Sequence, residues 1–551
     1  MADEDQVQVS RYAATKITRH DFPKDFVFGC ATSAYQVEGA YDADGKSMSN
    51  WDAYTLRRPE CISDGSNGCI AIDHYNKYKE DVLLMKKLGL DAYRFSISWS
   101  RVLPGGRLSS GVNKDGVKYY NDLIDFCLDN EIEPYVTLFH FELPQCLEDE
   151  YGGFLSPKIV QDFGEFAELC FWEFGDRVKH WITLNEPWTF SYSAYVAGTY
   201  PPGRGVTTNE HLRSLSNGAV MHRGIHLTGP HTRSLLTNSA GDPGTEPYIA
   251  AHHLILSHAS AVDIYRKQFQ AVQGGKIGIT NMSNWFEPLN DTEEDKAAAQ
   301  RAVDFMWGWF MSPIVHGDYP PVMRKLVGKR LPTFTPEETK LIQGSYDFIG
   351  LNYYTTNYVT SSPTTPPNSK PSYKTDQQAE HCTEKNGIPI GEKPGSIWFF
   401  IVPRGIYGLL VHTKDKYNDP LIYITENGMS EANNNKLTVT EARKDDLRVS
   451  CYQDHLTYTK QAIEYGVNVK AYFLWSMFDN YEWAEGYTAR FGIFYIDFAN
   501  RLARHPKASA FWWMNFLNKN LAAPVARSKR QVKGSEEQYE SVKRVLKTGK
   551  A

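Results

Sequence analysis

Eight short apolar stretches run in β-favouring residues, and each stops in a polar, aromatic or glycine-containing cluster. In chain order they are residues 26–36, 92–99, 134–140, 180–187, 276–282, 347–354, 421–428 and 469–480. Between them the apolar positions change to a helical period. Residues 75–88 read YNKYKEDVLLMKKL, apolar at helical spacing, with Gly89 as a stop. Residues 119–128, 163–174 and 250–269 behave alike. Strands that alternate with helices pair in parallel, and eight such units predict an α/β chain closed into a (β/α)8 TIM barrel. A doubly wound open sheet would want a Gly-rich phosphate loop after the first strand, and GCATSAYQ is not one.

No internal repeat is visible and no linker divides the chain. The expected organisation is an N-terminal extension over 1–20, a single barrel domain with long rim loops over 21–520, and a tail over 521–551. Residues 356–395 are polar and rich in Pro, Ser and Thr. They follow the sixth strand, so a long loop over the C-terminal rim is expected, with a tolerated surface insertion as the plainer reading. After Pro524 the chain carries eight Lys and Arg against three Glu. Residues 535–547 can form a helix, with Ser535 and Gln538 as a capping box and Tyr539, Val542, Val545 and Leu546 as an apolar stripe. The tail reads either as a frayed end or as a nuclear-import or partner-binding segment built on Arg527, Lys529, Arg530 and Lys533.

Composition narrows the function classes. At 551 residues, 42% hydrophobic and 13% aromatic, the chain can bury a large core, which excludes a disordered or fibrous protein. Lys and Arg number 59 against 65 Asp and Glu, a formal charge of -6, so no nucleic-acid partner is expected. No apolar run reaches the roughly 18 residues of a membrane span, so no membrane partner is expected either. The first twenty residues have no apolar core segment and do not read as a secretory signal, which points to the nucleus or cytoplasm. The eight cysteines form no CxxC pair, which weakens zinc and redox readings. Cys61 and Cys69 are close enough in sequence to bridge, but free thiols are expected in a chain with no secretory signal. The sequons at Asn281 and Asn290 are expected to stay unused.

Chemistry in such a barrel sits where the strands end. Those ends supply Gln36, Arg94, His140, Asn185, Glu186, Tyr354, Glu426, Trp475, Glu482 and Trp483. Glu186 and Glu426 end apolar strands, where a carboxylate is costly unless partnered or used. Their strands are fourth and seventh, so the two can face each other across the mouth. Facing carboxyl groups suit glycoside hydrolysis: one, kept protonated, donates to the leaving oxygen, and the other attacks the anomeric carbon or activates water. Gln36, His140, Asn185 and Glu482 can bind hydroxyls, and Trp475 and Trp483 offer flat faces for a pyranose. Arg94 beside Glu426 would hold it ionised, and Tyr354 can bond the same carboxylate. Taken singly, the glutamates also suit structural ion pairs, His140 a satisfied core histidine, and the tryptophans core aromatics. The order and spacing of the whole set favour a site.

The motifs NEP at 185–187 and TENG at 425–428 resemble the two signatures of glycoside hydrolase family 1, the β-glucosidase family. The resemblance spans about 21–517 and includes FVFGCATSAYQVEGA, YRFSISWSR, TLFH, GLNYYT and WSMFDNYEWAEGYTARFGI. DGSNG, LPGG, GVNKDGVKYY, LEDEYGGFLSP and CFWEFGDRVKHWITLNEPWTF are similar to the plant glucosidases of the strictosidine and raucaffricine type, and the basic tail is a further likeness. The resemblance implies a retaining β-glucosidase with Glu186 as acid/base and Glu426 as nucleophile, their carboxyl groups about 5–5.5 Å apart. It implies glucose binding by Gln36, His140, Asn185, Glu482 and Trp483, with Trp475 beneath the ring. It places Trp398 at the border of the aglycone pocket. It implies a small-molecule β-glucoside as partner, an alkaloid glucoside above all, no metal or organic cofactor, and a possible homo-oligomer. Two departures stand out. The family's HWD is His140-Phe141-Glu142 here, which loses an indole donor near the sugar. Its RGPSIWD begins here with Lys46, which can alter packing behind the first strand. The competing expectations are a broad β-glucosidase for phenolic or defence glucosides, a sugar-binding or assembly protein with weakened catalysis, and a transglucosidase in which an alcohol intercepts the glucosyl-enzyme.

Overall fold

The computed structural model describes residues 17–205, 241–362, 370–396 and 398–518. Eight parallel strands close into a barrel: β1 (Val27–Ala31), β2 (Ala92–Ser96), β3 (Glu133–Phe139), β4 (His180–Asn185), β5 (Lys276–Met282), β6 (Phe348–Asn352), β7 (Ile422–Asn427) and β8 (Val469–Leu474). Each pairs with its neighbour in this order, and β8 returns to β1, with Val27 opposite Ala471 and Cys30 opposite Leu474. Every predicted stretch holds one barrel strand. Helices cover the outer face and side chains fill the bore, so β2, β6 and β7 are buried at every position. That is why the stretches read as apolar runs rather than as alternating patterns.

The bore is packed by unequal partners. Ala31, Ala92 and Ala471 leave room for Tyr135, Phe348, Tyr423 and Phe473. Ring centroids stand 4.8 Å apart for Tyr135–Phe473 and 4.5 Å for Phe348–Tyr423. Gly29 lies against the Phe473 ring, where no Cβ would fit. These rings form a solid floor, and the polar strand ends lie beyond it.

The outer helices begin earlier than the predicted stretches. Residues 119–128 and 163–174 belong to helices Lys114–Asp129 and Lys158–Phe174, each of which starts five residues before its predicted stretch. Helix His74–Leu88 ends at Gly89, whose φ of 80° supplies the left-handed cap. The stretch 250–269 is helix Glu246–Ile264 followed by a π turn, Tyr265–Phe269.

The stretch 356–395 is not the loop expected. Thr356–Ser361 pairs with Trp285–Pro288 and Ala379–Cys382 in a three-stranded sheet, and a short hairpin joins Glu384–Lys385 to Ile388–Pro389. The β-favouring Thr, Tyr and Val of this segment were outweighed by its polarity, which here marks an exposed sheet face.

All eight cysteines are free, Cys61 and Cys69 included. Asn281 is buried on β5 and Asn290 donates to Asp295 Oδ2 at 2.9 Å. The compact unit that holds the barrel ends at Leu517. The helix expected at 535–547, the basic cluster 527–533 and most of the extension 1–20 lie outside the described residues. Among the described residues no helix is long and apolar enough to cross a membrane.

Candidate active site

The strand ends bring two carboxyl groups into one hydrogen-bonded network with different surroundings. Glu426, near the end of β7, receives a donor on each oxygen. Arg94 Nη1 of β2 lies 2.5 Å from Oε1, and the Tyr354 hydroxyl donates to Oε2 at 2.7 Å. Arg94 is fully buried, and its Nη2 donates to Asn185 Oδ1 at 2.6 Å. The guanidinium therefore ties the end of β7 to the end of β4.

Glu186 follows β4 directly and caps helix Pro187–Tyr195, with φ at 44°. Its donors are neutral: Asn352 Nδ2 to Oε1 at 2.7 Å and Thr189 Oγ1 to Oε2 at 2.7 Å. Burial, and then the Glu426 charge, push its pKa up to about 7, against the lowering by Asn352, Thr189 and Arg94. One carboxylate has a cation in contact and the other has none. An acid and a nucleophile require such different surroundings.

The other predicted residues surround this pair. Gln36 Nε2 donates to Asn480 Oδ1 at 3.0 Å and to the Tyr481 carbonyl at 2.8 Å, with Glu482 Oε2 at 3.5 Å. Ser33 Oγ donates to Gln36 Oε1 and fixes the amide. Burial, then the charges of Glu485, Glu426 and Glu186, raise the Glu482 pKa well above the ordinary carboxyl range. His140 is buried, and burial followed by Arg94 depresses its pKa, so the ring is neutral. Asn185 Oδ1 is taken by Arg94, so its amide nitrogen donates to His140 Nε2 at 3.0 Å. The imidazole proton then sits on Nδ1, which is buried and has no protein partner. Trp475 and Trp483 lie nearly parallel to His140, at 5.9 and 5.8 Å.

Trp398 stands apart from the buried cluster. It is 40% exposed, its Nε1 donates to Glu485 Oε1 at 3.0 Å, and its ring meets Tyr354 edge-on at 6.3 Å. Phe141 keeps an apolar contact with Trp483 at 5.0 Å in place of an indole donor. The sequence reading passed over Asn352, Thr189 and Glu485. Asn352 carried a usable signal, a polar residue ending the apolar run FIGLN. Thr189 sits three residues beyond Glu186, one helical turn on, and carried none. Among the described residues no His, Cys, Asp and Glu are grouped to hold a metal.

Arg94 is the keystone in charge terms. Arg94→Met leaves Glu426 buried without its cation, and an expected loss of about 3–5 kcal/mol follows from breaking a buried pair. Denaturant titration of the variant against the parent measures it, and a loss under about 1 kcal/mol contradicts the arrangement.

A family model described as glycosyl hydrolase family 1 matches residues 18–522. Oleuropein β-glucosidase of Olea europaea is 56% identical over 94% of this chain and 93% of its own. Raucaffricine-O-β-D-glucosidase of Rauvolfia serpentina is 54% identical over 99% of this chain and 100% of its own. A rice β-glucosidase mutant, solved in covalent complex with glucose, superposes with a TM-score of 0.84 at 44% identity, covering 91% of this chain and 99% of that one.

Proposed function

The chain belongs to glycosyl hydrolase family 1 and is a β-glucosidase, and from that premise we propose a substrate and a division of labour. The substrate is the β-glucoside of a plant specialised metabolite, a monoterpenoid indole alkaloid glucoside of the strictosidine or raucaffricine type. Glu426 attacks the anomeric carbon, and its bond to the sugar forms as the glycosidic C–O bond breaks. The Glu186 proton passes to the leaving oxygen. Glu186, now a base, takes a proton from water as the water oxygen bonds the anomeric carbon and the Glu426–sugar bond breaks, which releases β-glucose and restores both groups. Gln36, His140, Asn185, Glu482 and Trp483 hold the glucose, with Trp475 beneath it.

The observation that carries this reading is the contrast between the two carboxyl groups, one paired with Arg94 and one held only by Asn352 and Thr189. It favours an active enzyme over a sugar-binding relic. A relative named for raucaffricine at 54% identity over the full length supports the alkaloid class. A relative named for oleuropein at 56% favours the second reading, a glucosidase for other defence glucosides. The test is a competition among strictosidine, raucaffricine and aryl β-glucosides, followed by mass spectrometry. Fastest loss of an alkaloid glucoside is expected, and loss of aryl glucosides alone removes the alkaloid class. Transfer of glucose to an added alcohol would expose a transglucosidase in the same experiment.

Trp398 borders the leaving-group side in this reading. Trp398→Ala is expected to lower kcat/KM for the preferred alkaloid glucoside about tenfold and to leave a small aryl glucoside nearly unchanged. Equal losses for both would place Trp398 outside selection. Nuclear placement rests on the basic tail residues 527–533. It is tested by imaging the full chain beside one truncated after Leu517.

A further inference from the structure

Two segments distant in sequence converge on Trp483. Trp51 packs against its ring at 4.8 Å and Phe141 at 5.0 Å. Each of these aromatics is followed at once by a buried carboxylate, Asp52 and Glu142. One cation serves both. Lys46 Nζ lies 2.6 Å from Asp52 Oδ2 and 3.7 Å from Glu142 Oε1, and all three side chains are at most 4% exposed. Glu142 is otherwise held by neutral donors, Ser98 and Ser100. Arg101, the nearby guanidinium, is engaged by Glu38 at 3.0 Å. Lys46 therefore keeps two facing buried carboxylates from repelling each other.

The backbone between them needs support. Phe141 and Trp483 have φ values of 69° and 48°, a region that bulky residues hold only when their surroundings enforce it. Asn50 adds a neutral tie, donating to the Phe141 carbonyl at 3.1 Å and accepting from the Leu143 amide at 2.9 Å. The two departures from the family pattern, at Lys46 and at Glu142, thus meet at one ion cluster. We propose that Lys46 is a positioning residue of the sugar pocket: by clamping Asp52 and Glu142 it fixes Trp51 and Phe141, which together set the plane of Trp483. This rests on the reading of Trp483 as a glucose contact.

The test compares KM and kcat for an aryl β-glucoside with calorimetric binding of 1-deoxynojirimycin. Lys46→Met is expected to raise KM and the inhibitor Kd about tenfold while kcat changes less than about threefold, because a misplaced wall weakens sugar binding. Lys46→Arg, which keeps the charge, should recover most of the loss. If Lys46→Met does not fold, Glu142→Gln carries the test, with a smaller shift in the same direction. Trp483→Ala is measured alongside. If it weakens inhibitor binding and the Lys46 and Glu142 variants do not, the clamp is overturned and the pocket reading stands. A fall in melting temperature with KM and Kd unmoved overturns it too. If Trp483→Ala leaves binding intact, the pocket reading itself fails and the clamp fails with it.

Discussion

Glu426→Gly is expected to lower kcat by about 10⁵-fold or more, the scale at which removal of a covalent nucleophile is felt. Sodium azide should restore part of the turnover, and the product should be the α-glucosyl azide. The reasoning is geometric. Arg94 and Tyr354 engage both oxygens of Glu426 and hold it at the mouth of the barrel. No neighbouring carboxylate can substitute. Glu186 is committed to the leaving oxygen, and Glu482, whose pKa burial and then its acidic neighbours raise well above the ordinary carboxyl range, lies within reach of Gln36. Glycine leaves a gap where a small anion can enter and attack the anomeric carbon from the same face, inverting it. The parent enzyme inverts twice and so releases β-glucose. Glu426→Gln keeps the shape but not the nucleophile and should be inactive with or without azide. Full activity in Glu426→Gln, or α-glucose as the first product of the parent, would exclude Glu426 as the nucleophile.

The sequence exposed the barrel because its strands are buried on both faces over most of their length, so the eight read as largely apolar runs rather than as alternating patterns. The same uniformity made Glu186 and Glu426 stand out, since a carboxylate ending such a run has to be explained. What stayed hidden depends on partners distant in the chain. Thr189 and Asn352 are ordinary polar residues until the fold sets both against Glu186. The pairing of Lys46 with Glu142 appeared only as two separate oddities, in KSMSNWD and HFE, and the fold joins them. The strands Thr356–Ser361 and Ala379–Cys382 are hidden in a stretch whose Pro, Ser and Thr content resembles a loop, and one of their pairing partners, Trp285–Pro288, lies far upstream. Short-range pattern reports burial well and reports side-chain partnership poorly.

Glu186→Gln should reveal the acid in two independent ways. For glucosides with poor leaving groups, kcat/KM should fall by about 10²–10⁴-fold, the usual contribution of a positioned acid. Activated aryl glucosides, whose leaving groups need little protonation, should lose far less in the first step. With azide the variant should yield the β-glucosyl azide, because Glu426 still forms the glucosyl-enzyme and azide needs no base. The parent should show an alkaline fall in kcat/KM near pH 7, the value to which burial and Glu426 push Glu186, and Gln should abolish that fall. The second readout is stability. The folded-state pKa of about 7 lies above the ordinary 4.5, so the native state binds the extra proton between them. Stability contributed by this group is fully present below about pH 4.5 and is lost as pH rises toward 7. A glutamine carries no such penalty. Glu186→Gln should therefore match the parent in acid and exceed it above pH 7, by on the order of 3 kcal/mol at 1.36 kcal/mol per pKa unit. Melting curves at pH 4.5 and pH 8 measure the difference. A gap that does not widen with pH, or a parent profile without an alkaline fall, would remove Glu186 from the acid's role.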